Sequence, residues 1–119
     1  MTTQQYRQAR ERFMAQARRE LADGDLAQAS EKGWGAAAQM LKAVAQQRGW
    51  EHSRHRHHLV TASRLRSETG DADIRRLFHS ASALHENFYE NVLPPDEIAE
   101  NLDDVQALLG RLRPLLDAT

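Results

Sequence analysis

The densest polar chemistry in the sequence runs from Glu51 to His58, EHSRHRHH, which holds four of the chain's six histidines. His55 and His58 stand three residues apart, so on a helix they share a face and have the spacing of a two-imidazole metal site. No spaced carboxylate completes such a set, and Arg54 and Arg56 put positive charge where the cation would sit. No metal and no cofactor are expected. The same interleaving suits an anion better: guanidinium and imidazole groups meet phosphate oxygens, and Trp50 offers a ring for stacking. Arg54, Arg56, His55 and His58 are therefore expected to form an exposed, anion-attracting edge. The plain alternative is a solvated helical turn whose histidines bond locally.

A second polar group interrupts an apolar pattern. His85 lies in the stripe Ile74, Leu77, Phe78, Ala81, Leu84, Phe88, so it is expected to be largely buried and uncharged at pH 7, because burial disfavours the imidazolium. Beside Tyr89 or Lys32 it would be a site residue; without such neighbours it would be a core residue. A third feature is the run of small side chains around Trp34, namely Gly33, Gly35, Ala36, Ala37 and Ala38. Two glycines inside a helix cost roughly 1 kcal/mol each relative to alanine, so something is expected to approach this backbone closely. Either a neighbouring helix does so, or a ligand or partner chain lies across the glycines with Trp34 as a flat apolar surface.

The elements that must carry these groups follow from the punctuation. Breaks fall at Asp23-Gly24-Asp25, Arg48-Gly49-Trp50, Thr69-Gly70-Asp71 and Leu93-Pro94-Pro95-Asp96, each pairing a glycine or proline with a residue able to cap the next helix. Four breaks imply five helices. The first spans Thr3 to Ala22 with Tyr6, Ala9, Phe13, Ala17 and Leu21 as its stripe. The second begins at Asp25, with Gln28 completing a capping-box-like pair, and stops at Gly49. The third is capped by Ser53, with Leu59, Val60, Ala62 and Leu65 as a weak stripe. The fourth follows Asp71. The fifth follows Pro94-Pro95 and carries Ile98, Leu102, Val105, Leu108, Leu109, Leu112 and Leu116, with Pro114 expected to break or end its last turn. The expected fold is all-α: an antiparallel, up-and-down helical bundle forming one domain over residues 1–119.

Composition agrees and excludes much. Across 119 residues there are 18 Ala and 14 Leu against four Val and two Ile, a helical mixture. Sixteen Lys+Arg against 17 Asp+Glu leave a net charge of −1, so no global basic field draws the chain to nucleic acid. The absence of cysteine removes disulfides, thiolate metal sites and thiol nucleophiles. A mean hydropathy of −0.72 excludes an integral membrane protein, and an N-terminus without an apolar core makes the cytoplasm the expected location. No Glu is followed by His three residues on, His85-Glu86 lacks a second His at position 89, and no phosphate loop or serine elbow is present.

The segment Leu21 to Ala45, LADGDLAQASEKGWGAAAQMLKAVA, continued through Arg48-Gly49-Trp50-Glu51-His52, resembles the HEPN superfamily, and most closely its PaREP-type branch. The later LHENFYE at Leu84 to Glu90, followed by a Pro-Pro-Asp helix start, is similar to that branch as well. The resemblance spans roughly residues 6 to 113. It implies a helical bundle that forms homodimers, binds a nucleotide or RNA, and in toxin–antitoxin pairs meets a nucleotidyltransferase partner. The resemblance implies that its ribonuclease members use Arg and His with four to six residues between them; here Arg48 and His55 match that gap with six residues between them, and Gly49 stands where a polar residue is usual. The expected function is a non-enzymatic HEPN-like dimer binding a nucleotide, RNA or partner protein through Lys32, Trp34, Arg54, Arg56, His58, His85 and Tyr89. A metal-independent endoribonuclease using Arg48 and His55 is the first alternative, and a purely structural interaction module the second.

Overall fold

A computed structural model describes residues 2–117; Met1, Ala118 and Thr119, at the ends of the expected 1–119 domain, lie outside the described residues. Five helices follow one another: α1 (Thr3–Ala22), α2 (Leu26–Arg48), α3 (His55–Thr69), α4 (Ala72–Glu90) and α5 (Pro95–Asp117). No strand occurs among the described residues. The breaks work as the sequence implies. Gly49 and Gly70 end α2 and α3 at φ of 72° and 73°, a left-handed backbone that glycine adopts without penalty. Asp25 caps α2 by accepting from the Gln28 amide at 3.2 Å, and Asp71 caps α4 by accepting from Asp73.

Helix α2 is the axis of the bundle, packed against α1, α3, α4 and α5. Its small residues make this centrality feasible, because Ala36, Ala37, Ala43 and Ala45 are all fully buried. Gly33 settles one of the two sequence readings. A Cβ placed there would stand 2.5 Å from Leu102 and 2.9 Å from Leu84, so leucines of α4 and α5 occupy the space it leaves. Ile98, Leu102, Val105, Leu108, Leu112 and Leu116 give α5 an almost wholly buried stripe against α2 and α4.

Several local expectations need correction. The α3 stripe fails at Leu59 and Val60, which stand exposed, while Ala62 and Leu65 are buried. In α1, Phe13 and Leu21 are only half-buried while Met14 takes a core place, because Phe13 turns outward to lie over Gly35. Ser53 does not cap α3, which starts at His55. The His57 ring folds back instead, its Nδ1 accepting from the amides of Ser53 (3.2 Å) and Arg54 (3.0 Å). Pro114 does not stop α5, which runs on to Asp117. Proline removes the hydrogen bond to residue 110, and here that residue is an exposed glycine with nothing around it, so the freed carbonyl stays in water.

The α4–α5 corner is held by Asn87. Its side chain is buried, donates to Ser30 Oγ of α2 at 2.9 Å, and accepts from the amides of Val92 (2.8 Å) and Leu93 (2.9 Å). At the opposite end of α4, Arg111 reaches from α5 to Asp71 (2.8 Å) and Asp73 (2.9 Å).

Candidate functional site

Trp34 points from α2 toward α3 and α4, and imidazoles gather around it. The His55 and His85 rings each lie 5.0 Å from the indole, and 4.9 Å from each other in a stacked pair. His58 meets the same indole edge-on at 5.8 Å, and Phe78 closes the far side at 6.0 Å. The i,i+3 spacing on α3 thus aims both His55 and His58 at one ring, while α4 delivers His85 from the next helix. Tyr89, one turn further along α4, touches His85 edge-on at 5.6 Å.

This arrangement revises several expectations. Trp34 is a buried ring, 6% exposed, and so not the open flat surface expected beside the glycines. His58 is also buried at 6%, not part of an exposed edge, because its face of α3 is the one that packs on Trp34. Burial pushes its pKa down to about 4, aided by the nearby positive charge of Lys42. His85 is part-exposed, with 26% of its side chain open, and not largely buried; its ring stands at the rim, 3.4 Å from the carboxylate of Glu31. Its expected neighbour Tyr89 is present in contact.

A cleft of about 350 Å³ opens beside this group, along α2 between α1 and α3. Phe13 forms one wall and His58 the other; Gly35 and Ala38 keep the floor low, and Glu31, Lys32, Gln39 and Lys42 supply the polar groups. A Cβ on Gly35 would stand 3.3 Å from the Phe13 ring, so this glycine lets the aromatic wall sit close over the helix. The aromatic groups lining the cleft are Phe13, which belongs to the expected core stripe of α1, and the largely buried Trp34. Glu31, Gln39 and Lys42 were also missed. Their signal was there: Glu31, Gly35, Gln39 and Lys42 recur at steps of four, four and three, which is one helical face.

The remaining candidates lie elsewhere. Arg54 and Arg56 are exposed and line a separate groove with Gly49, Trp50, Glu51, His52, Ser53 and His57. Trp50 carries Arg64 over its ring at 4.2 Å and Arg48 at 5.6 Å, and Arg48 also approaches Glu68 at 3.5 Å. Arg48 is thus engaged on the Trp50 side, whereas His55 is engaged with Trp34 and His85. Among the described residues no cluster of three or more His, Asp or Glu has the geometry to hold a metal ion. No helix among them is long and apolar enough to cross a membrane.

Comparison with known proteins fits the helical architecture. A crystal structure of a protein from Sulfolobus solfataricus superposes with a TM-score of 0.80 at 26% identity, covering 91% of this chain and 96% of that one. None of the curated proteins matches the chain. The segments around Trp34 and His85, which carry the ring cluster, both fall within residues 5–109, the part of the sequence matched by the model of the archaeal PaREP1/PaREP8 family, and the chain belongs to that family.

Proposed function

We propose that this chain is a HEPN-like helical homodimer that binds a nucleotide, free or at the end of an RNA strand, in the cleft along α2 and does not cleave it. The observation that carries this reading is the make-up of the cleft: Lys32 and Lys42 stand beside an aromatic wall, Phe13, in about 350 Å³. That volume suits a small ligand with one flat ring, and two ammonium groups suit phosphate oxygens. The buried, low-pKa His58 lines the same cleft as a neutral ring, able to donate or accept without adding charge. The exposed arginines Arg54 and Arg56, with Trp50 close by, offer a longer strand a second place to rest.

Binding without cleavage is favoured because Arg48 and His55 serve different neighbours, whereas a ribonuclease pair must converge on one phosphate. Self-association is supported by exposed apolar groups, Leu59 and Val60 on α3 and Tyr89 and Val92 at the end of α4. A nucleotidyltransferase partner belongs to the same HEPN-like reading.

The test uses a Trp50→Phe chain, in which Trp34 is the remaining indole. Titration with mononucleotides and with a short end-labelled RNA should change its fluorescence saturably. Lys32→Ala with Lys42→Ala should weaken binding by about tenfold or more, the scale of losing a charge-assisted contact, and the RNA should be recovered intact. Shortened RNA would turn the reading to an endoribonuclease. No binding of either probe would leave a structural interaction module.

A further inference from the structure

We infer that two copies of this chain join through the outer face of α3, packed antiparallel about a two-fold axis level with Thr61 and Ala62. This names the surface for the homodimer reading above and rests on it. Among the described helices, α3 packs only on α2 and α4. On its free side Arg56, Val60, Ser63 and Ser67 recur at steps of four, three and four, which is one helical face, with Leu59 alongside. Leu59 and Val60 are large apolar groups standing in water. The serines next to them are short, and they form the floor of a shallow groove of about 530 Å³ that Arg64 and Glu68 also line.

Charge decides which exposed apolar group a second copy covers. Tyr89 and Val92 stand in a stretch from Leu77 to Gly110 that holds no lysine or arginine. Glu86, Glu90, Asp96 and Glu97, close to them in sequence, are all exposed. A two-fold pairing there sets carboxylates against carboxylates, and like charges in an interface oppose association. The α3 face carries both signs. Arg56 makes no ion pair or hydrogen bond with another described residue. Glu68 approaches Arg48 of its own chain at 3.5 Å and keeps 47% of its side chain open to a second cation.

A two-fold interface must be complementary to itself, each contact occurring twice. Antiparallel packing about the stated axis meets that condition. Leu59 enters the hollow at the partner's Ser63, and Val60 lies along the aliphatic stem of the partner's Arg64. Arg56 reaches the partner's Glu68 in a charge-assisted pair. A parallel arrangement instead sets Val60 on Val60, Arg56 on Arg56 and Glu68 on Glu68, which wastes the hollows and opposes like charges.

Because the chain has no cysteine, a single introduced thiol reports its own position. Ser63→Cys, close to the axis, should be joined into a covalent dimer by a short bismaleimide, and Val92→Cys should not. In sedimentation equilibrium, Arg56→Glu should raise the dimer dissociation constant by about tenfold or more. Adding Glu68→Arg, which exchanges the two signs in both copies, should bring it back toward the original value, with helical circular dichroism retained throughout. A dimer that is joined by Val92→Cys and not by Ser63→Cys would overturn the α3 face and leave the homodimer standing. So would a dimer that Arg56→Glu leaves as tight as before. A double variant no tighter than Arg56→Glu alone would overturn the antiparallel pairing. An unaltered chain that sediments at 13.5 kDa at every concentration would overturn both this inference and the homodimer.

Discussion

His58 makes the sharpest statement at the scale of single residues. Its folded-state pKa of about 4 lies below the ordinary 6.5 because burial penalises the charged ring, with Lys42, His55, His57 and His52 adding to the penalty. The unfolded chain therefore binds a proton that the folded chain refuses. Stability should be constant above pH 6.5, fall as pH drops toward 4, and level off below that. Two and a half pKa units correspond to about 3 kcal/mol at full development. Urea midpoints across pH 7 to 4 measure this, and His58→Gln should flatten the slope. A midpoint that does not move would show that the ring is hydrated and free to titrate. The sequence made a histidine pair at His55 and His58 visible, but not which member turns inward. That depends on where Trp34 of another helix stands, a relation that spacing along one helix does not contain. The same holds for Phe13, placed in the α1 stripe by its period and drawn out by the missing side chain of Gly35.

At the scale of elements, α2 shows two uses of a helical glycine. Gly33 faces leucines of α4 and α5, and Gly35 faces a single ring at the edge of the cleft. Gly33→Ala forces its methyl into Leu102 and Leu84, both fully buried; overpacking of about 1–3 kcal/mol exceeds the roughly 1 kcal/mol gained in helix propensity. A net loss of about 1 kcal/mol is expected. Gly35→Ala meets only the half-buried Phe13, so the propensity gain should dominate and stability should hold or rise. Thermal unfolding of the two variants separates them: equal changes in Tm would contradict this assignment of roles. Helix number, order and most boundaries were legible because Gly49, Gly70, Asp25, Asp71 and the Pro94-Pro95 pair act through local backbone chemistry. The start of α3 was not, since its cap is a ring arriving from His57, three residues inside the helix, rather than a conventional serine. Nor was the passage of α5 through Pro114, which depends on the solvent exposure of Gly110.

At the scale of the whole molecule, the apolar groups left in water mark where a second copy could join. Trp34 is consumed by the core, and Trp50 lies half-buried under Arg64. What remains exposed is Tyr89 at 72%, Val92 at 70%, Val60 at 51% and Leu59 at 45%. If the α3 face joins two copies, light scattering should give twice the 13.5 kDa of one chain, and Val60→Glu should return a folded, helical monomer. Trp34→Glu should instead unfold the chain, because it puts a charge among buried rings. A mass of 13.5 kDa for the unaltered protein would dismiss the dimer. The Asn87 clamp has a consequence at this scale too. It ties α2, α4 and the entry to α5 at one buried point, and it holds the amides of Val92 and Leu93 in a connection that carries no regular helix. The Val92 side chain lies in water, yet its amide proton should exchange with deuterium as slowly as those of the core helices, released only when the molecule opens as a unit. Asn87→Ala should turn both amides into fast exchangers, making this short link a reporter of global opening.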